Sequence, residues 1–79
     1  MRIDIAKEYL IKNHERAPLL SGWRHIETGT VYVVQSHVLI EATLDPAVAY
    51  SQRHPGPVVV WCRPANEFFD GRFERVEPQ

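Results

Sequence analysis

The side chains in this sequence that could do chemistry are two histidines, an arginine and a cysteine set among aromatic residues. Arg63 follows Trp61-Cys62 and precedes Pro64. Strand alternation would place Arg63 on the same face as Trp61, where its guanidinium could hold an anion beside the indole ring. The structural interpretation pairs Arg63 with Glu67 or Glu41, which would lock the turn that follows. The sequence leaves both interpretations open.

His25 and His37 are the candidate titratable groups. An imidazole could act as a general base or as a ligand near neutral pH. A histidine near an apolar surface more often makes a structural hydrogen bond, and no acid–base partner is fixed by the sequence. The four histidines, at positions 14, 25, 37 and 54, lack the short spacings of a metal site. We therefore expect no metal and no cofactor.

Cys62 is the single cysteine, so the chain cannot form an intrachain disulfide. Its position between Trp61 and Arg63 predicts a buried, inert thiol on the core face. A catalytic pair of Cys62 with His25 is the alternative with the least support. The sequence also contains no phosphate-binding loop, dinucleotide fingerprint or nucleophile elbow. We expect no catalytic residues and no enzyme activity.

Aromatic side chains must supply most of the core, because a domain of this size has few other large apolar groups. Two or three of them could remain exposed and form a groove for a peptide or a single strand of nucleic acid. The predicted ligand-binding set combines such aromatics with the polar candidates: Trp23, His25, His37, Tyr50, Trp61 and Arg63.

Length and charge limit the classes of function. The chain has 79 residues and a formal net charge of −1. A chain this short forms one domain with a marginal core. Its near-neutral charge argues against tight non-specific binding to DNA or RNA. No apolar run approaches the roughly 18–20 residues of a membrane span, and the first residues lack a secretory signal, so we expect a cytoplasmic protein.

The N-terminal segment is predicted to form a helix over residues 4–14, with Asp4 as its N-cap. One apolar stripe at helical spacing contains Ile3, Ala6, Tyr9 and Leu10. A helix this short needs to dock on the rest of the domain. We expect it to cover an open end of a small barrel, and the alternative is a partner-binding element.

The remainder of the chain reads as strands at 23–26, 30–44, 47–53, 58–63 and 72–76. The longest segment should bend near residues 35–37, and its even positions are predicted to face the core: Tyr32, Val34, Ser36, Val38, Ile40, Ala42 and Leu44. The apolar run at 58–63 is typical of a strand covered on both faces. Residues 54–57 read as a turn and 77–79 as a frayed tail.

A helical or 3₁₀ turn over residues 64–68 precedes the last strand. Five short strands with such a turn predict an α+β fold that is mostly β. The N-terminal helix would precede a five-stranded Src-homology-3-like barrel over residues 22–76, within a single domain of residues 1–79.

The sequence between Gly22 and Val76 resembles, at a set of spaced positions, a family of small bacterial and phage domains that is catalogued as domain of unknown function sixteen-fifty-three. The matching positions are Trp23-Arg24-His25, Gly29, Tyr32-Val33-Val34, His37, Val48-Ala49-Tyr50, Trp61-Cys62-Arg63-Pro64, Phe68 and Arg72-Phe73. The chain departs from the family pattern at Trp23, at Glu67 and between Val38 and Pro46. The resemblance implies a small barrel and no established activity.

These observations predict a non-enzymatic binding module. A protein or peptide partner is the first expectation, and a phage-encoded modulator of a host protein is its more specific form. The alternative is a small anionic ligand or nucleotide held by Arg63 and a histidine. We expect no membrane association and no strong nucleic-acid binding. The protein should be a monomer, or a weak homodimer through an open edge strand.

Overall fold

The computed structural model describes residues 2–56 and 58–76, and it contains one antiparallel sheet of five strands. The elements in chain order are α1 (Ile3–Arg16), β1 (Gly22–His25), β2 (Val31–Leu39), β3 (Pro46–Gln52), β4 (Val60–Pro64), α2 (Ala65–Phe68) and β5 (Phe73–Val76). The predicted α+β class, with an N-terminal helix before five strands, is confirmed. Pro57 and residues 77–79, predicted as parts of a turn and of the tail, lie outside the described residues.

The strands lie in the order β4-β3-β2-β1-β5, so β4 and β5 form the two edges of the sheet. These two strands do not pair with each other, and the sheet is open rather than closed into a barrel. The Src-homology-3-like type therefore stays a prediction. The helical turn expected before the last strand is present as α2, a four-residue α-helix rather than a 3₁₀ turn.

A β-bulge divides β2. Val34 pairs with Tyr50, but Ser36 pairs with Ala49, so Gln35 is an extra residue on this strand. A bulge bends its strand and increases the local twist. The predicted bend at residues 35–37 is confirmed.

The bulge also shifts the alternation of β2 by one residue. His37, an odd-numbered position, lies opposite the buried Val48. Its even-numbered neighbours Ser36 and Val38 lie opposite Ala49 and Ala47. The strand then ends at Leu39, and Ile40 and Ala42 are exposed in the following turn. The prediction of core-facing even positions as far as residue 44 was therefore wrong, because a one-residue shift moves every later side chain to the other face.

The core is built from aromatic rings around Phe68, which is fully buried. Its ring stacks on that of Phe73 with centroids 4.5 Å apart. The rings of Trp23 and Tyr50 lie 5.3 and 5.5 Å from it. These contacts join α2 to β1, β3 and β5, so one side chain ties together elements that are distant in the sequence.

Helix α1 packs through small residues. Ala6 is buried, as is Ala17 directly after the helix, whereas Ile3 and Tyr9 of the predicted apolar stripe are exposed. That part of the prediction was wrong, because close packing of α1 uses the narrow strip of alanines. Asp4 is not the N-cap. It lies in the first turn of the helix and pairs with Arg2, which is the N-cap residue.

Substitution of Phe68 by Ala should lower the free energy of unfolding by about 3–5 kcal/mol, because it removes a fully buried ring and leaves a cavity. This loss is comparable with the whole stability of many small domains. Urea unfolding followed by circular dichroism measures it. Phe69→Ala is the matched control, since Phe69 is only partly buried; equal losses for the two variants would contradict the central role of Phe68.

Candidate functional site

Strand β4 is exposed although it lies in a continuous apolar run. The accessible surface is 56% for Val60 and 52% for Trp61 in the strand, and 82% for Val58 just before it. The prediction of a strand covered on both faces was wrong, because β4 is an edge strand with only β3 beside it. The predicted burial of Cys62 was wrong for the same reason, and its thiol is exposed.

The register of β4 fixes which of its side chains share a face. Trp61 lies opposite Tyr50, and Arg63 lies opposite Val48. Directly opposed residues project from the same face of a sheet. Trp61 and Arg63 therefore share the face of two buried residues, which confirms the predicted alternation, while Trp61 stays half exposed at the edge.

Arg63 is held by three groups. Its Nε donates a hydrogen bond to the Tyr50 hydroxyl at 3.3 Å, and its NH1 lies 3.5 Å from Oε1 of Glu67. The hydrogen bond with Tyr50, with a smaller contribution from Glu67, raises the pKa of Arg63 above its usual value, and partial burial opposes the shift. The guanidinium faces the ring of Phe73 at 5.7 Å, whereas the sequence predicts stacking beside Trp61. The predicted pair with Glu67 is confirmed.

A pocket of ≈ 480 Å³ opens beside Arg63. Its lining also includes His25 and Arg72. Two members of the predicted ligand-binding set, His25 and Arg63, therefore meet here. The His25 ring packs on Phe73, and its Nδ1 lies 3.1 Å from the Thr28 hydroxyl. This pocket could hold a small anion between an imidazole and two guanidinium groups.

Carboxylates already neutralise the two arginines of this pocket. Arg72 NH1 lies 3.3 Å from Oε1 of Glu67, the same oxygen that pairs with Arg63. Arg72 Nε lies 3.0 Å from Asp70. An incoming anion would have to compete with these pairs.

Trp23 and Tyr50, also in the predicted ligand-binding set, are buried in the core. The indole Nε1 of Trp23 donates a hydrogen bond to the Ser21 hydroxyl at 3.0 Å. The six predicted residues therefore do not form one surface. His25 and Arg63 share a pocket, Trp61 lies at the sheet edge, and Tyr50 supports Arg63 from within.

His37 connects the sheet to the end of α1. Its Nε2 donates to the Ala17 carbonyl at 2.7 Å. Because a carbonyl oxygen can only accept, Nε2 carries the proton of this bond. Nδ1 is buried without a hydrogen-bond partner in the part of the chain that the structure describes, and the ring lies 5.8 Å from that of His14. This geometry supports a structural role.

Sequence reasoning missed a groove of ≈ 470 Å³ between α1 and the end of the sheet. Its lining comes from α1, the β2–β3 connection, and the segment from the end of β4 through α2: Tyr9, Asn13, Arg16, Ile40, Asp45, Pro46, Pro64, Ala65, Asn66 and Phe69. One sequence feature could have indicated this groove. The spacing of Tyr9, Asn13 and Arg16 places these three residues on one side of a helix.

Other site types receive no support from the residues described. Among residues 2–56 and 58–76, no group of three or more His, Cys, Asp or Glu side chains could hold a metal ion. No helix in these ranges is long and apolar enough to cross a membrane. The chain matches no protein-family model, and neither a curated protein nor a solved structure matches it. The family resemblance therefore stays a prediction.

His37→Ala should lower the free energy of unfolding by about 1–3 kcal/mol, because it removes the donor to the Ala17 carbonyl. Chemical denaturation measures the loss, with His54→Ala as the control at an exposed histidine. If both variants unfold at the same denaturant concentration as the parent protein, His37 does not hold α1 to the sheet.

Proposed function

We propose that the protein is a non-enzymatic binding module that receives an extended peptide segment of a partner protein along β4. The observation that carries this proposal is the exposed apolar edge formed by Val60, Trp61 and Cys62. Edge strands are usually protected by charged side chains, proline, bulges or a covering element. Arg63 and Pro64 provide such protection at the end of β4, whereas Val60, Trp61 and Cys62 carry neither a charge nor a proline.

A strand is the occupant that fits this edge best. The outer side of an edge strand presents backbone N–H and C=O groups in alternation, and an extended peptide can satisfy both. Side chains of the added strand would lie beside Trp61 on one face and beside Val60 and Cys62 on the other. Apolar side chains on both faces of the partner would bury this surface.

The short edge limits the strength of binding. Strand β4 has five residues. An interface of this size falls below about 1,200 Å², the class of weak and transient complexes. A transient peptide contact suits a regulatory module better than a permanent assembly.

Backbone methylation of a bound peptide tests strand addition directly. Short peptides would be selected from a displayed random library, and apolar residues should dominate them. N-methylation at one alternate set of positions should abolish binding, whereas methylation of the other set should not, because only one set of amides faces β4. Equal tolerance of both sets would show that the peptide does not bind as a strand.

Val60→Lys should abolish binding of the selected peptides, because it places a charge on the apolar edge. Its melting temperature should stay within about 4 °C of the parent value, since Val60 is exposed. Ile11→Lys is the matched control, an exposed aliphatic residue on α1. Retained affinity in the Val60 variant, or an equal loss in the control, would contradict the proposal.

Self-association is a separate outcome of the same experiment. Hydrogen exchange of the β4 amides would be compared at low and high protein concentration, without peptide. Protection that grows with concentration, together with a dimer in sedimentation, would identify a second copy of the chain as the occupant of the edge.

The second candidate function is binding of a small anion in the pocket of His25, Arg63 and Arg72. Its support is the meeting of these three side chains at one cavity. It ranks second because Glu67 lies within ion-pair distance of both arginines.

Glu67→Gln should strengthen anion binding, because it removes the carboxylate charge next to NH1 of both Arg63 and Arg72 while keeping the size of the side chain. Titration with inorganic pyrophosphate, followed by amide NMR shifts near His25 and Arg63, measures the change. Glu74→Gln is the control, since Glu74 pairs with Arg24 outside this pocket. No gain in affinity for the Glu67 variant would remove this candidate.

We infer a cytoplasmic setting from the exposed thiol of Cys62, which a reducing compartment keeps unoxidised. A bacterial or phage origin, and with it a role as modulator of a host protein, is supported only by the family resemblance.

A further inference from the structure

The groove beside α1 includes Pro64 of β4 but none of Val60, Trp61 and Cys62, and it has the properties of a small-molecule site. Its volume of ≈ 470 Å³ lies in the range of such sites, about 300–1,000 Å³. Tyr9 and Phe69 contribute aromatic surface, and Asn13 and Asn66 contribute carboxamides. This combination of apolar wall and a few polar groups is typical of ligand pockets.

Two residues of opposite charge line the groove and form no ion pair with each other. Arg16 lines one part and Asp45 another. Within the described ranges neither side chain takes part in an ion pair, either with the other or with a third residue. An unpaired charge at the wall of a concave site is available to a ligand of opposite sign.

Arg16 is also positioned. The carbon of its guanidinium lies 4.2 Å from the centre of the Phe69 ring. Contact with the face of an aromatic ring holds the flat guanidinium in place, and its N–H groups, which lie in the guanidinium plane, can still donate hydrogen bonds. Such a group can bind a carboxylate through two parallel hydrogen bonds.

The pair of charges selects the class of ligand. Asp45 would repel a simple anion, and Arg16 would repel a simple cation, whereas a molecule with both charges satisfies both side chains. We propose that the groove binds a small zwitterion with an apolar body, of amino-acid or dipeptide size. Its carboxylate pairs with Arg16, its ammonium group pairs with Asp45, and its hydrocarbon part packs on Phe69 and Tyr9.

Amide NMR titration of the full chain tests the charge requirement with four probes. L-phenylalanine and glycyl-L-phenylalanine carry both charges, 3-phenylpropanoate carries only the carboxylate, and 2-phenylethylamine carries only the ammonium group. At least one of the zwitterions should shift the amides of Asn13, Arg16, Asp45 and Asn66, with a dissociation constant of about 1 mM or tighter. Each singly charged analogue should bind about tenfold more weakly.

Two variants separate the charges. Arg16→Gln should bind the zwitterion about tenfold more weakly and lose its preference over 2-phenylethylamine. Asp45→Asn should lose the preference over 3-phenylpropanoate. Arg75→Gln is the matched control, an exposed arginine of β5 outside the groove, and should bind as the parent protein does.

Three results would overturn the proposal. One is the absence of shifts at the groove with both zwitterions at about 10 mM. Another is equal affinity for the zwitterions and for the singly charged analogues, which would show that the charges do not contribute to binding. The third is unchanged binding in both groove variants. Melting curves of each variant show that it is folded, so a loss of binding can be assigned to the charge.

Discussion

The packing of Phe68 against Phe73, Tyr50 and Trp23 is the interaction on which the rest of the structure depends. Phe68 belongs to α2, and its three partners belong to β5, β3 and β1. Because α2 begins directly after β4, the buried ring also holds the end of that strand. A single aromatic contact set therefore connects both edges of the open sheet.

The core accounts for the exposure of β4. A small domain has little interior volume, and here the aromatic cluster with Val34 and Val48 fills it. The side chains of Val60 and Cys62 project from the opposite face to Trp61 and Arg63, and all the apolar residues of β4 retain access to solvent. An apolar strand that the core does not use lowers solubility and invites pairing. This edge is the surface on which we propose that a partner strand binds.

Much of the fold could be predicted from local patterns, because alternation and turn chemistry act over a few residues. The N-terminal helix, the five strands and the bend near Gln35 follow from such patterns. The place of β4 could not be predicted, since a run of valines looks the same in a central strand and at an edge. Strand order depends on pairing between distant segments. The prediction that Cys62 is buried was wrong for the same reason, because it assumed that β4 lies inside the sheet.

The candidate sites were predictable only where neighbours in the sequence form them. Glu67, four residues after Arg63, was one of the two partners predicted for it and does pair with it. The groove beside α1 needed contacts that no local pattern contains: Arg16 against Phe69, and His37 bonded to the Ala17 carbonyl. Arg16 and Phe69 both line the groove, so the contact between α1 and the residue after α2 shapes it. The hydrogen bond from His37 holds the residue after α1 to β2. Pro64, the last residue of β4, lines that groove, and a strand added along β4 would end beside it. The two surfaces are therefore linked through one short strand whose end is fixed by Phe68.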